Sequence, residues 1–201
     1  MLESMTVRLE GIAPLLMNNS QMADPLNDFS KKIAAIRAIS SKKRTDEDLA
    51  EMLRLQWYGG LYVDDEGHPC IPGENLEQML VEGGKKFRKG PQFKAAVLVD
   101  GNIRVEYSGP QTPDALWKDS NFRKVSMVPT GKSGRAQVCY PMFSEWAIEF
   151  TIEYDAEQIN GDDIVNAMEA QGKRGGLGAW RPKHGRFKVI VISRSDRADA
   201  A

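Results

Sequence analysis

The stretch Gly175-Gly176-Leu177-Gly178-Ala179-Trp180-Arg181-Pro182-Lys183-His184-Gly185-Arg186-Phe187, hereafter the glycine loop, decides how the rest of the chain is interpreted. Four of its thirteen residues are glycines, which adopt positive φ and let the backbone approach a partner closely. The indole and the cationic side chains between them are groups that stack on bases and bind phosphates. A helical pattern precedes the loop and the apolar run Val189-Ile190-Val191-Ile192 follows it, so we expect it to join a helix to a strand. A surface turn with a buried Trp180 is the alternative.

The composition is that of an ordinary folded domain. The 201 residues suit one domain with a substantial core, and 41% hydrophobic and 27% charged residues are typical of a globular protein. The formal net charge is -1, so a surface that binds nucleic acid requires segregated charge. Basic residues do cluster at 85–94, 132–135 and 173–188, and acidic residues at 46–51, 64–66 and 153–163.

Cysteine and histidine are too sparse to indicate a disulfide framework or a metal site. The two cysteines are Cys70 and Cys139, and His68 and His184 lie far apart in the sequence. We therefore predict no cofactor and no metal. No apolar run is long enough to span a bilayer and the amino terminus lacks a signal-peptide core, which predicts a cytoplasmic protein.

The order of the predicted elements indicates an α+β fold. The strongest patterns predict strands near 5–9, 146–153 and 187–192, and helices at 74–86 and 161–172. Both ends of the chain therefore have the order strand, helix, strand, and two such units form a ferredoxin-like sheet with helices on one face. We expect a single domain over residues 1–193, followed by a disordered tail, 194–201.

Two insertions are predicted within this domain, a helical one at about 27–57 and a β-ribbon at about 108–142. In the first, Thr45-Asp46-Glu47-Asp48 indicates a helix start, with Thr45 as N-cap and acids in the first turn. In the second, residues 122–128 are expected to pair with 135–142. Between the insertions, residues 94–107 predict a hairpin around Asp100-Gly101-Asn102.

Two further basic clusters could extend a binding surface. The first surrounds the end of a predicted helix, where cations also favour the carboxyl terminus, and comprises Lys85, Lys86, Arg88 and Lys89. The second, Lys132 and Arg135, lies at the tip of the predicted ribbon. Gly131-Lys132-Ser133 is similar to part of a phosphate-binding loop, but position 126 is Ser where that motif requires Gly. We therefore predict a basic hairpin tip and not nucleotide hydrolysis.

Three stretches carry a resemblance to a known family. The first is Leu9-Glu10-Gly11-Ile12-Ala13-Pro14-Leu15-Leu16, a strand that ends in a small residue and Pro-Leu. The second is Gly67-His68-Pro69-Cys70-Ile71-Pro72-Gly73-Glu74-Asn75-Leu76, similar to a strand-to-helix junction usually written Ile-Pro-Gly-Ser-Ser-Leu, with Glu74-Asn75 in place of the hydroxyl pair. The third is the glycine loop before the last strand. In this order they resemble the RAMP superfamily, RNA-binding proteins that build CRISPR effector backbones. The chain also resembles an uncharacterised family of small phage-encoded proteins.

The resemblance implies an RNA-recognition-type fold in a bacterial cytoplasm or a phage-infected host. It also implies non-enzymatic binding of single-stranded RNA, ahead of single-stranded DNA, and head-to-tail assembly of copies or related subunits along the strand. We expect Trp180 to stack on a base while cations neutralise phosphates. The candidate binding residues are Lys85, Lys86, Arg88, Lys89, Lys132, Arg135, Gly176, Gly178, Trp180, Arg181, Lys183, His184 and Arg186.

Two alternatives stay open. Some RAMP backbone subunits cleave RNA through an Asp between the first strand and the Ile-Pro-Gly junction, and Asp24 occupies a comparable stretch. It is the candidate catalytic residue of a metal-assisted endoribonuclease. In the other alternative, a structural or assembly protein of a phage particle uses the basic loops to bind an acidic partner.

Overall fold

The computed structural model describes residues 1–130 and 134–195, with backbone alone at Thr130, and shows an α+β chain with antiparallel sheets. The strands within these ranges are β1 (Leu2–Gly11), β2 (Leu15–Leu16), β3 (Cys70–Pro72), β4 (Val97–Leu98), β5 (Asn102–Arg104), β6 (Arg123–Thr130), β7 (Gly134–Phe143), β8 (Ala147–Asp155) and β9 (Phe187–Arg194). The helices are α1 (Asp28–Ala38), α2 (Asp46–Gly60), α3 (Gly73–Lys85), α4 (Gly90–Ala96), α5 (Pro113–Lys118) and α6 (Gly161–Arg174). Short 3-10 turns span Ser20–Ala23 and Ser120–Phe122.

The chain forms two compact units. The first unit contains Met1–Leu15, Pro69–Ser108 and the chain from Ser144 onwards, and the second contains Leu16–His68 and Gly109–Phe143. Apart from Ser108, both predicted insertions belong to the second unit.

The predicted tail overlaps the end of the first unit. Arg194 belongs to β9, and the Ser195 N–H donates to the Ser4 carbonyl oxygen at 2.9 Å. Residues 196–201, the rest of that predicted tail, lie outside the described ranges.

A four-stranded antiparallel sheet forms the centre of the first unit, with its strands in the order β4-β8-β1-β9. β1 pairs with β8 from Leu2↔Asp155 to Glu10↔Ala147. Alternate residues of β1 are buried, as the sequence pattern predicted, and they are Met5, Val7 and Leu9. The expectation that strands near 5–9, 146–153 and 187–192 share one sheet is therefore confirmed.

Helices α3 and α6 pack closely with the aid of small residues. A Cβ atom added to Gly83 of α3 would meet the Ala167 carbonyl oxygen of α6. Helix α6 also lies close to the sheet. A Cβ atom added to Gly172 would meet the Phe187 carbonyl oxygen in β9, and a Cβ atom added to Gly161 would approach the Met5 side chain in β1. Glycine is required at Gly83 and Gly172 because backbone lies where a side chain would go.

The hairpin predicted over residues 94–107 is wrong. Residues 90–96 form α4, and the two strands that follow do not pair with each other. β4 pairs with β8, and β5 pairs with β3. The turn itself is present, with Gly101 at φ 77°. Its flanks do not pair because each finds a partner elsewhere in the unit, a choice that local periodicity does not contain.

The second unit combines a helical pair with the predicted ribbon. Strands β6 and β7 pair from Arg123↔Pro141 to Thr130↔Gly134, and the ribbon tip, 131–133, lies outside the described residues. α2 starts as predicted, because the Thr45 side chain accepts the Asp48 N–H and the Asp48 side chain accepts the Thr45 N–H. Its Trp57 is fully buried and donates its indole N–H to the Phe122 carbonyl oxygen at 2.8 Å.

Among the helices of residues 1–130 and 134–195, none has the length and apolar character that crossing a bilayer requires.

We predict that Gly83→Ala destabilises the first unit, although alanine favours a helix by about 1 kcal/mol over glycine. The new methyl group would meet backbone of α6, and overpacking of this kind costs about 1–3 kcal/mol. Denaturant unfolding should therefore show a lower free energy of unfolding than for the unaltered protein. Gln78→Ala, an exposed position on the same helix, is the control and should change it by less than about 0.5 kcal/mol. A Gly83→Ala protein as stable as the unaltered one would contradict the close packing.

Candidate nucleic-acid interface

The glycine loop leaves the end of α6 and closes on itself. The N–H groups of Gly175 and Gly176 both donate to the Gln171 carbonyl oxygen at 2.7 Å. At the other end, the Leu177 N–H donates to the Gly185 carbonyl oxygen at 2.8 Å and closes a neck. Gly176, Gly178 and Gly185 have φ values of 84°, 77° and 70°, a region that residues with side chains rarely adopt.

The neck of the loop is attached to the end of β1. The Gly185 N–H donates to the Pro14 carbonyl oxygen at 2.8 Å, and the Ile12 N–H donates to the Arg186 carbonyl oxygen at 2.8 Å. The indole N–H of Trp146 holds the adjacent Ala13 carbonyl oxygen at 2.9 Å. The first and third stretches of the RAMP resemblance are therefore in direct contact through backbone.

A second attachment runs from the loop to α3 through Glu82. Arg181 donates from Nη1 to Glu82 Oε2 at 2.6 Å. Gln171 donates to the same oxygen at 3.3 Å and also to the Gly176 carbonyl oxygen at 3.3 Å. Sequence reasoning missed both partners, although a signal was present for Gln171: it continues the apolar stripe of Ile164 and Met168 on α6, where a polar residue indicates a buried hydrogen bond.

Trp180 lies at the tip of the loop in a left-handed conformation, with φ 57°. Its side chain is 36% exposed, in contrast to Trp57 at 0% and Trp146 at 5%. The ring lies 6.2 Å from that of the buried His184, whose N–H donates to the Trp180 carbonyl oxygen at 3.1 Å. A residue with a side chain in this conformation costs about 1–3 kcal/mol, so the surroundings force the tryptophan into it. The structure places this indole at the surface, which the alternative of a buried Trp180 did not expect.

Three of the predicted phosphate-binding cations are already engaged within the first unit. Besides Arg181, Lys86 donates to the Ala170 carbonyl oxygen at 2.8 Å, and Lys89 forms an ion pair with Asp163 at 2.6 Å. Partial burial, followed by the nearby positive charge of Arg174, lowers the pKa of Lys86. These groups would have to exchange an internal partner for a phosphate.

Four other predicted cations of the first unit are exposed, and their side chains have no hydrogen-bond or ion-pair partner among residues 1–130 and 134–195. They are Lys85, Arg88, Lys183 and Arg186. Lys183 and Arg186 belong to the glycine loop itself. Arg88, like Trp180, has positive φ, at 60°.

The uncovered face of the sheet in the first unit is acidic. Arg8 donates to both carboxylate oxygens of Glu106, at 2.9 and 2.6 Å, and lies 3.5 Å from Glu10 and 3.8 Å from Glu149. One guanidinium therefore faces three carboxylates, and the pKa of Glu106 is lowered mainly by its hydrogen bond to Arg8. This cluster of carboxylates disfavours a polyanion there, in contrast to the exposed cations of the glycine loop.

The remaining predicted site residues belong to the second unit. Arg135 is exposed near the start of β7, and Lys132 lies outside the described residues. Asp24 is exposed in a turn, where its carboxylate accepts the Leu26 N–H at 2.8 Å. In the part of the chain that the structure describes, no group of three or more His, Cys, Asp or Glu side chains is arranged to hold a metal ion.

Comparisons with known proteins give a distant sequence match and matches of fold. No protein-family model matches the chain. A DNA ligase from Methanobrevibacter smithii is 26% identical over 125 residues, which are 59% of this chain and 22% of the ligase. A chain in the cryo-EM structure of the type III-B Cmr-beta bound to cognate target RNA matches with a TM-score of 0.55 and 14% identity, over 96% of this chain and 60% of that chain. The chain is thus shorter than either comparison protein, and it shares an α+β fold with a chain of the Cmr-beta structure.

Proposed function

We propose that the protein binds single-stranded nucleic acid, RNA ahead of DNA, through the glycine loop of its first unit. The observation that carries the proposal is the exposed indole of Trp180 in a loop whose neck is hydrogen-bonded to β1. Lys183 and Arg186 follow Trp180 in the same loop, and their side chains have no counter-ion among the described residues. An unpaired strand suits both features, because an aromatic face takes a base and free cations take phosphates.

A ferredoxin-like sheet of the RAMP type is part of the same proposal. In chain order the elements of this sheet and its helices are β1, α3, β4, β8, α6 and β9, which is the strand-helix-strand-strand-helix-strand order of that fold. The first of the three stretches that resemble the RAMP superfamily contacts the third, the glycine loop, and the helix that follows the second stretch also contacts it. Pro14, in the segment that follows β1, accepts a hydrogen bond from the loop, and α3, which follows the Ile-Pro-Gly junction, binds Arg181 through Glu82.

The names of the two comparison proteins support nucleic acid as the ligand class. One is a DNA ligase, and the other structure contains target RNA. RNA is put first because the likeness to the RNA-bound structure covers 96% of this chain, whereas the match to the ligase covers 59%.

The loop cations have different roles in this proposal. Arg181 positions the loop, because its guanidinium is bound to Glu82. Lys183 and Arg186 neutralise phosphates next to the stacked base, and Lys85 and Arg88 at the end of α3 extend the binding surface. Copies or related subunits would line up head to tail on a longer strand.

The first prediction of this proposal concerns salt dependence. Removing one cation that binds a phosphate should reduce the log-log slope of affinity against salt by about 0.7 for a single strand. Lys183→Ala combined with Arg186→Ala should therefore reduce the slope by about 1.4, for all sequences alike. The salt slope is measured by fluorescence anisotropy with a labelled oligouridine and with the matching oligodeoxythymidine. Lys42→Ala with Lys43→Ala removes the same charge from an exposed segment and is the control.

Two results would replace this function with an alternative. Binding to single strands that does not depend on salt, together with salt-dependent binding to an acidic protein, would favour the particle-assembly role. Magnesium-dependent cleavage of the oligouridine that Asp24→Asn abolishes would favour the endoribonuclease.

A second prediction separates stacking from a structural role of Trp180. Trp180→Ala should weaken binding by about 1–3 kcal/mol, the usual worth of one base stacked on an aromatic ring. Trp180→Gly should weaken it equally and keep or raise the melting temperature, because glycine adopts positive φ without strain. Affinity and thermal unfolding are measured on the same preparations. A large fall in melting temperature with unchanged affinity would assign the indole to the core.

A further inference from the structure

A cavity of about 290 Å³ in the second unit is not used by the proposed function. It lies where β6 begins, beside α2 and α5 and on the face of the ribbon that carries Cys139. Its lining residues are Leu53, Trp117, Ser120, Arg123, Val125 and Cys139. The cavity is therefore mostly apolar, with one guanidinium and one hydroxyl group.

The guanidinium of Arg123 has no acceptor within the described ranges of the chain. Its carbon lies 4.7 Å from the centre of the Trp117 ring, a cation–π contact that does not use the N–H groups in the plane of the guanidinium. Over residues 1–130 and 134–195 no hydrogen bond or ion pair reaches it, and its Nε atom is shielded from solvent. A buried donor left unsatisfied destabilises the fold, and more so when it is charged. Such a group indicates an anionic ligand.

No group in the cavity supplies the missing negative charge. The cavity lining contains no carboxylate. Cys139 does not replace one, because burial raises the pKa of its thiol to about 11 and keeps it neutral near pH 7. The Ser120 hydroxyl is a further donor that an anion could use.

Arg54 in the same unit is an arginine that has both an aromatic contact and a carboxylate partner. Its guanidinium carbon lies 5.3 Å from the centre of the Tyr58 ring, so it makes the same kind of cation–π contact. Arg54 also donates two hydrogen bonds to Glu51, at 2.7 and 2.8 Å. Arg123 has the aromatic ring without a carboxylate among the described residues, and it lines the cavity.

We propose that this cavity binds the phosphate group of a nucleotide. Arg123 holds the phosphate, Ser120 donates to it, and Leu53 and Val125 contact the adjoining nucleoside. The planar guanidinium matches phosphate and carboxylate alike, and the choice of phosphate rests on the proposed function. The phosphate has two possible sources, a free mononucleotide or the phosphorylated end of a strand.

The test is calorimetric titration of the full chain with uridine monophosphate, uridine and inorganic phosphate. Uridine monophosphate should bind at least about tenfold more tightly than uridine, since a charge-assisted hydrogen bond is worth at least that factor. Arg123→Met should weaken the binding of uridine monophosphate by a similar factor. Arg54→Met removes the other stacked arginine and should leave its affinity unchanged.

A second variant keeps the test decisive if Arg123→Met does not fold. Arg123→Lys retains the charge without the planar guanidinium, so the variant should bind uridine monophosphate severalfold more weakly. The circular dichroism of the variant should stay unchanged. Equal binding of uridine and uridine monophosphate, or unchanged affinity in both Arg123 variants, would overturn the proposal.

Strands with and without a 5′ phosphate identify the source. Tighter binding of the phosphorylated strand, abolished by Arg123→Met, supports a strand end, and binding of uridine monophosphate alone supports a free nucleotide. The result for the glycine loop is independent of this one. The double variant of Lys183 and Arg186 could leave the salt slope unchanged while the binding of uridine monophosphate still depends on Arg123. The proposed function would then fail, and the cavity site would stand.

Discussion

The hydrogen bond from the Gly185 N–H to the Pro14 carbonyl oxygen is the interaction on which the glycine loop depends. It joins the segment just after the first strand to a loop just before the last strand, and the Leu177 N–H donates to the carbonyl oxygen of the same glycine. A Cβ atom at position 185 would meet the Leu177 carbonyl oxygen, so only glycine allows the approach. Because the neck is held by backbone on both sides, a ligand that binds at its tip has less loop entropy to remove.

Internal pairing decides which cations of the first unit are available to a polyanion. Net charge is close to zero, and many basic residues have acidic neighbours. Arg181 and Lys89 are bound by Glu82 and Asp163, and Arg8 faces three carboxylates on the open side of the sheet. Lys183 and Arg186 have no such partner among the residues described. The physical basis of the proposed interface is thus the distribution of unpaired charge and not its total.

The two stacked arginines of the second unit follow the same logic. Arg54 and Arg123 each lie over an aromatic ring, and Glu51 neutralises only Arg54. An ion pair at the surface contributes little to stability, but an unpaired guanidinium beside an apolar cavity carries a cost that an anionic ligand removes.

The sequence by itself determined the elements whose causes are local. The Thr45 capping box, the alternation in β1 and β8, and the β6–β7 ribbon all follow from spacings of two to four residues. It also identified the glycine loop, because glycine, indole and cations there are close in the chain. The fold that the chain shares with a chain of the Cmr-beta structure agrees with the predicted α+β class.

Tertiary structure decided everything that depends on partners distant in the chain. Strands β4 and β5 do not form the expected hairpin, because β4 pairs with β8 and β5 pairs with β3. Arg181 is held by Glu82, which is 99 residues away, and Trp180 is turned outward because His184 and the neck occupy the interior. Arg123 became a candidate only when its surroundings showed no carboxylate among the described residues. Periodicity reports which face of an element is buried, but pairing of charge depends on which surfaces meet, and a single sequence does not contain that information.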